Sequence, residues 1–448
     1  MATSRYFELI DFSGNVVASG FWSSASRADC LYRSAHLAKP GHRCRLLQGT
    51  REITPFTPLT ALDISDDHTL QVVWLSSSAA NYRSHNHAFA AIKANGSVVT
   101  WGRAIAGGEQ HPPLQHLGGV VQGCGTAGAF AVIKDNGSVA TWGHPEMGGD
   151  SSSVAELLMT GVVQIVANDT AFAAIKDNGS VVTWGAWNRG GDSTAIATLL
   201  AEGVAQVCGN TGAFAARKSN GSVVTWGDTF SSGISSAIAP LLAKDVVHIC
   251  ATSVNAFAAI KANGSLVTWG SQFFGGDSSK VAPLLTEGVV QVCGTNGACA
   301  ALLANGSVVT WGNDEEGGDS SKVATLLTEG VVEVYSNYYA FVALKADGSV
   351  VTWGCDACPR STDERAVATL LSDVAQVCGS GGAFAAIKSG GSVVTWGDDW
   401  GGDSSEVAAL LTEGVVQICG GEMAFAAIKA DGSVVSWGDS RYGGDSSA

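Results

Sequence analysis

The sequence predicts a mainly β fold made of one small repeated unit, preceded by a short α+β domain. Three observations carry that reading. The stretch Ala256-Phe-Ala-Ala-Ile-Lys-Ala-Asn-Gly-Ser-Leu-Val-Thr-Trp-Gly270 occurs nine times with small changes. Its tryptophans (Trp101, Trp142, Trp184, Trp226, Trp269, Trp311, Trp353, Trp396 and Trp437) are spaced 41 to 43 residues apart. A fixed period of that length means that each copy is one supersecondary unit. The third observation is a turn dipeptide at the centre of every copy, between two strand-like flanks.

The dipeptide is Asn-Gly at Asn95, Asn136, Asn178, Asn220, Asn263 and Asn305, Asp-Gly at Asp347 and Asp431, and Gly-Gly at Gly390. These are the pairs that a type I′ hairpin accepts, so a type I′ turn is the expectation. The flanks are apolar on both faces, as in strands sandwiched between other sheets. A third run, such as Gly288-Val-Val-Gln-Val-Cys-Gly294, precedes each later hairpin and reads as another short strand. Between Trp-Gly and that run lies a connector such as Gly275 to Glu287. Its Asp-Ser-Ser start predicts one capped helical turn with Val281, Leu284 and Leu285 pointing inward. Three strands and a connector per unit make a β-propeller when stacked radially and a β-solenoid when stacked linearly.

The succession Val-Val-Gln-Val-Cys-Gly, Ala-Phe-Ala-Ala-Ile-Lys-x-Asn-Gly-Ser-Val-Val-Thr-Trp-Gly and Gly-Gly-Asp resembles the regulator of chromosome condensation repeat. The resemblance covers roughly residues 79 to 448. It implies a β-propeller, usually of seven blades. The chain departs from that pattern in having shorter units, nine hairpins, and Ala or Gly where the family has a His before the second strand. The expected blade count is therefore seven to nine.

Residues 1–76 lie outside the repeat and form the first expected domain; residues 77–448 form the second. Tyr6 to Phe12 and Val16 to Phe21 alternate like paired strands around Ser13-Gly14-Asn15. Ser24 to Leu37 is an expected helix, with Ala28, Leu31, Tyr32 and Ala35 on one face. Arg43 to Gln48, Leu59 to Ile64 and Thr69 to Trp74 are further expected strands. The order, with Leu47-Gln48-Gly49-Thr50-Arg51-Glu52 and Asp66-Asp67-His68-Thr69-Leu70, is similar to the ubiquitin-like β-grasp family. The family's terminal Gly-Gly is missing, which argues against a conjugated modifier. Residues 76 to 87 read as a linker or a degraded third strand, since Ala79 to His87 aligns without a gap on Val331 to Tyr339. The chain stops partway into a tenth connector, so residues 443–448 are either a tail or the edge of a fragment.

The chain has 448 residues, 46% of them hydrophobic, with 57 glycines and 15% charged residues, as in a turn-rich β protein. The formal net charge is −15. Residues 1–76 carry seven basic and seven acidic residues, so the imbalance belongs to the repeats. An acidic repeat region without a Lys/Arg cluster argues against nucleic acid as a partner. No stretch has the length of a membrane span and no signal-peptide core is present, which points to a cytoplasmic or nuclear location. Cys124, Cys208, Cys250, Cys293, Cys378 and Cys419 share one slot that Val166 and Tyr335 also fill, and so read as reduced packing residues.

No catalytic constellation emerges, and the expectation is a protein that is not an enzyme and needs no cofactor or metal. Cys355-Asp-Ala-Cys358 lacks the second ligand pair of a zinc site. His85, His87, His111 and His116 read as surface residues. The aspartates of Gly-Gly-Asp (Asp150, Asp192, Asp277, Asp319, Asp403 and Asp445) read as turn caps, because calcium-binding glycine–aspartate repeats have a nine-residue period. What varies between units is the stretch after each Trp-Gly. Trp187, Arg189, Phe273, Phe274, Glu315, Glu316, Trp400 and Tyr442 are the candidate partner-binding residues, all expected on one rim. Asn296, Tyr338 and Glu422 are expected on the opposite rim. The expected function is a protein–protein interaction scaffold, with a ubiquitin-pathway component or a small GTPase as possible partner classes. Two alternatives follow from the resemblance: a guanine-nucleotide exchange factor, or a piece of a propeller-containing ubiquitin ligase. The even unit length leaves no room for the wedge insertion an exchange factor uses.

Overall fold

The computed structural model describes residues 4–445 except 12, 25, 27, 39–42, 49–50, 54–56, 58, 63–67, 76–86, 94–95, 109–116, 233–237, 355–370 and 399–400. Cys355, Cys358, His85, His111, His116 and Trp400 lie outside the described residues, so the readings attached to them are not addressed by the structure.

The N-terminal segment forms β1 (Ser4–Ile10), β2 (Val16–Ser23), α1 (Asp29–Ala38), β3 (Arg43–Gln48), β4 (Arg51–Ile53) and β5 (Thr69–Leu75). The five strands make one sheet in the order β2-β1-β5-β3-β4. β1 and β5 run parallel, with Leu9 opposite Leu70. Phe7, Leu9, Ala28, Leu31, Ala35, Leu46, Ile53, Leu59 and Val72 are all fully buried in a core of their own. Two expectations differ. Helix α1 starts five residues later than the Ser24 cap suggested. The Ala28 N–H donates to Thr57 O and the Leu59 N–H to Ser26 O, so those residues bond across the fold instead of along a helix. Leu59–Ala61 is a 3-10 turn rather than a strand, and the fourth strand is Arg51–Ile53.

The repeats form eight three-stranded antiparallel sheets, plus one of two strands among the described residues, β6 (Ala88–Ile92) with β7 (Val98–Gly102). In every three-stranded unit the third run of the sequence is the inner strand, packed beside its counterparts in neighbouring units. The two arms of the hairpin are the middle and outer strands. The inner strand of the second unit, Val120–Gly125, is β8.

The middle strands are apolar on both faces because each sheet is covered on both sides. In the third unit Phe172 and Ala174 pack toward Ala129, Ala131 and Ile133 behind them. Ala171, Ala173 and Ile175 pack toward Val204, Val207 and Phe214 ahead. Alanine lets the sheets approach, and one aromatic pair per unit fills the wide end. Eight Phe–Trp pairs stack at 5.1–5.5 Å, from Phe89–Trp101 to Phe425–Trp437. The sixth unit has Cys299 opposite Trp311 instead.

The indole N–H stitches units together. Trp184 donates to Gly148 O, Trp311 to Gly275 O and Trp437 to Gly401 O at 2.9–3.0 Å, each reaching the preceding unit's loop. Trp101 makes the same bond to Gly443 O at 3.1 Å, so the last unit meets the first.

Two local expectations need correction. The eight hairpins whose turns are described are not type I′. Gly264 has φ +77°, but among the described residues the only non-glycine residues with positive φ are Asp245 and Asp373, so Asn263 stays in ordinary space. The Gly264 N–H donates to Lys261 O and the Lys261 N–H to Ser265 O, which makes a three-residue loop ending in a left-handed glycine. Asn263 earns its place by accepting the Ser265 N–H on Oδ1 at 3.1 Å. In the connector, Leu285 is buried, Val281 is half-buried, and Leu284 is 60% exposed. The connector is a 3-10 turn that ends at Leu284 (Ser279–Leu284), and Leu285 at its C-cap leaves helical space with φ −115° and ψ 22°.

Candidate protein-binding rim

Among the described residues, six of the Trp-Gly pairs are followed by a 3-10 turn of nearly constant geometry, and Trp226-Gly227 by a four-residue α-helical turn, Thr229–Ser232. Glycines at the Trp-Gly position have φ near +104° (Gly143, Gly270). Three residues of 3-10 turn follow: Pro145–Met147, Trp187–Arg189, Gln272–Phe274, Asp314–Glu316 and Ser440–Tyr442. A left-handed glycine then ends the turn. That glycine must lack a side chain, because a Cβ on Gly148 would sit 2.5 Å from the ring of Phe172 in the next unit.

A buried hydroxyl or amide beneath the turn pins it. Asn168 Nδ2 donates to Arg189 O at 2.6 Å, Asn210 Nδ2 to Ser231 O at 3.1 Å, and the Thr126 and Thr295 hydroxyls to Met147 O and Glu316 O. The same side chains accept N–H groups at the start of the middle strand, as Asn168 Oδ1 does from Ala171. This Thr/Asn slot right after the inner strand escaped the sequence reading. The signal was present: Thr126, Asn168, Asn210, Thr252, Thr295, Asn337 and Ser380 recur at the repeat period.

The framework thus holds a ring of variable side chains. Trp187 is 76% and Phe273 72% exposed, and Arg189 and Glu315 are exposed as well. Phe274 and Glu316 are half-buried. Two residues belong with this set that the sequence reading missed: Phe230, 54% exposed and edge-on to Phe274 at 6.5 Å, and Ile105. Both stand four residues after their tryptophan, the position Phe273 holds, so aligning the units by tryptophan would have found them. Trp187, Phe230 and Phe273 sit on three consecutive units, followed by Asp314, Glu315 and Glu316 on the next.

Tyr442 is placed differently from the others. Its ring meets His87 at 5.0 Å, and it packs with Phe89, Trp101 and Ala424 where the last unit meets the first. It is a packing residue of that junction. His87 Nε2 also contacts Glu422 Oε2 at 2.6 Å. The opposite-rim assignment of Asn296, Tyr338 and Glu422 is corrected. Asn296 adjoins Thr295, which holds Glu316, and the chain Asn296 N–H to Tyr338 O, Tyr338 N–H to Gly381 O, Gly381 N–H to Glu422 O runs along the same rim. The turn from inner to middle strand and the end of the outer strand share one end of the sheet, so they cannot lie on opposite rims.

The Gly-Gly-Asp aspartates cap turns. Asp150, Asp192, Asp277, Asp319 and Asp403 accept the N–H two residues on at 2.8–2.9 Å, and that bond holds each carboxyl below its usual range. In the shared cysteine slot, burial pushes the Cys124 and Cys250 thiols up to about 12 and raises that of Cys419 as well. Among the described residues no group of three or more His, Cys, Asp and Glu could hold a metal ion, and no helix is long and apolar enough to cross a membrane.

The chain matches no protein-family model and no curated protein. Solved structures similar to it include the ectodomain of the Physcomitrella patens receptor kinase CR4, at 18% identity over 62% of this chain and 72% of that one, TM-score 0.38. Prp20p from Saccharomyces cerevisiae, studied for its binding to Gsp1p and histones, matches at 16% identity over 62% and 85%, TM-score 0.36. Human WBSCR16 matches at 14% over 67% and 84%, TM-score 0.37.

Proposed function

We propose that the protein is a non-enzymatic protein-interaction scaffold, a β-propeller of nine short units (residues 77–448) behind a ubiquitin-like β-grasp domain (residues 1–76). The observation that carries the functional reading is the rim itself. A framework pinned by repeated hydrogen bonds presents Trp187, Phe230 and Phe273 to solvent on successive units. Large aromatic side chains held at low entropic cost are what interface hot spots are made of. Asp314, Glu315 and Glu316 beside them favour a partner with basic residues. The sheet order β2-β1-β5-β3-β4, with β1 and β5 parallel, supports the β-grasp reading and with it a link to ubiquitin pathways. A cytoplasmic or nuclear location fits both parts.

The test is partner capture with the full chain and with a Trp187→Ala/Phe230→Ala/Phe273→Ala variant. All three side chains are more than half exposed, so the melting temperature should hold. Captured partners should be lost at about 1 kcal/mol or more per side chain. Unchanged capture by a folded variant would remove the rim from consideration.

A further inference from the structure

One junction between units departs from the repeat toward basic residues at three positions. The fifth residue of the middle strand is Ile or Leu in eight units, as at Ile175, Ile260 and Leu302, and is Arg217 in the fourth. Ahead of the inner strand, four units carry Glu202, Glu287, Glu329 and Glu413, whereas the fifth carries Lys244. The third residue of the inner strand is Gln in six units and Glu333 in the seventh, but His248 in the fifth. All three changes flank the junction of the fourth and fifth units, in a repeat region that holds the whole of the net charge of −15. Arg217 and Lys244 also share its hairpin end. Arg217 precedes the Asn220-Gly221 turn by three residues, and the Val246 N–H donates to Gly221 O, which brings Lys244 to the same turn.

Arg217 occupies what is elsewhere a core slot. Ile175 and Ile260 are 5% and 0% exposed there, and Ile175 packs with Leu200 and Val204. The corresponding wall at this junction is Leu242 and Val246. Arg217 is half-buried, and its guanidinium is poorly matched. Nη1 lies 3.5 Å from Lys218 O, the outer limit of a hydrogen bond, and the buried Nε has no partner. Among the described residues no acidic side chain pairs with it, and burial alone lowers its pKa. Gln206 stands opposite Arg217 in the strand pair but is engaged across the junction. Its Oε1 accepts the Ile249 N–H at 3.1 Å, and its Nε2 donates to Ile249 O at 2.9 Å and faces His248 Nδ1 at 3.3 Å. Lys218 is engaged too, donating Nζ to Leu199 O at 2.9 Å. Asp245, where six other units have glycine, holds its exposed carboxylate 3.9 Å from Lys244 Nζ. Packing does not account for a cation in this slot, because Ile fills it in the sibling units without leaving a buried donor unpaired.

We propose that the hairpin end of this junction is a binding site for a phosphate group, either free or carried as an ester by a partner. Arg217 supplies the planar fork, whose N–H groups meet the phosphate oxygens and are not committed to a carboxylate of the chain itself. Lys244, 76% exposed, is the second cation and a mobile one. Phosphate suits the pair better than a carboxylate does, because it brings up to two charges and three acceptor oxygens to two cations of different reach. The strongly acidic surface of the other units, with Glu where this junction has Lys244, confines anion binding to this one place. The site lies at the opposite end of the sheets from the aromatic rim and does not depend on the scaffold reading.

The test is isothermal titration calorimetry of the full chain at low ionic strength with inorganic phosphate, O-phosphoserine and succinate. Saturable binding of phosphate or O-phosphoserine is expected, with succinate at least about tenfold weaker. Tighter binding of inorganic phosphate marks a free anion as the ligand, and tighter binding of O-phosphoserine marks an ester on a partner. Arg217→Ile puts back the residue of the sibling units. Its melting temperature should equal or exceed that of the parent chain, while its phosphate affinity should fall at least about tenfold. Arg217→Lys keeps the charge without the fork, and its affinity should lie between those two. Lys244→Glu, the residue of four other units, should weaken binding about threefold. Absence of saturable binding by the parent chain, unchanged binding by Arg217→Ile, or succinate binding as tight as phosphate overturns the proposal.

Discussion

Trp101 donates its indole N–H to the carbonyl of Gly443, 342 residues away, in the bond that links neighbouring units elsewhere over 35 or 36 residues. The first and last units are joined by the contact that also joins Trp142, Trp184, Trp226, Trp311, Trp353 and Trp437 to the units before them. In those six units the bond is a buried donor satisfied by a single carbonyl, so its loss should be measurable.

One comparison isolates it. Trp311 donates to Gly275 O at 2.9 Å, whereas the buried Trp269 Nε1 has no hydrogen-bond partner. Trp311→Phe should cost about 1 kcal/mol beyond the change in ring size, and Trp269→Phe should cost less, because it also removes an unpaired buried donor. Trp269→Ala empties the slot and should cost about 3–5 kcal/mol. Urea melts of the three variants decide this; equal costs for the two Phe variants would mean the indole bond adds nothing.

Gly264 should tolerate no side chain. Its φ is +77°, and a Cβ would stand 2.5 Å from the Gly288 backbone nitrogen. Gly264→Val combines strain in the left-handed region with a backbone clash and should cost about 3 kcal/mol or more. A variant melting with the parent chain would refute the close approach of hairpin and following unit.

Cys299 offers a stabilising change. It stands where eight other units place a phenylalanine stacked on tryptophan, and it lies fully buried against Trp311. Cys299→Phe should restore the stack and raise stability by about 1 kcal/mol. A fall in the melting temperature would show that the sixth unit has closed around the smaller side chain.

Acid should weaken the repeats in a defined window. The folded carboxyls of Asp150, Asp192, Asp277, Asp319 and Asp403 lie below their ordinary range because a backbone N–H donates to each. A carboxyl lowered by folding contributes stability that is complete above the unfolded value of about 3.9 and is lost as pH falls through the folded value. The melting temperature should be insensitive to these groups between about pH 5 and 7 and drop below about pH 4. Replacing all five by alanine should flatten that drop.

The N-terminal segment closes a core among its own residues, Phe7 to Val72, as an independent domain would. Residues 1–76 alone should therefore give dispersed amide NMR signals. A random-coil spectrum would reject the boundary at residue 76.

What the sequence by itself determined is local and periodic. The hairpins, the inner strand, the tryptophan slot and the aspartate caps each follow from residues within one unit, and nine copies make the pattern audible above the drift of single positions. The tertiary structure decided whatever depends on the path between units. Which of two adjacent leucines faces inward depended on where the connector's helical turn ends, between Leu284 and Leu285. Asn296, Tyr338 and Glu422 share the rim of Glu316 because of where the inner strand turns. Tyr442 reads as one more rim aromatic until the last unit is seen against His87 and Phe89. Period and propensity record neighbours along the chain, whereas burial at a junction between units is a relation between residues that the period never compares.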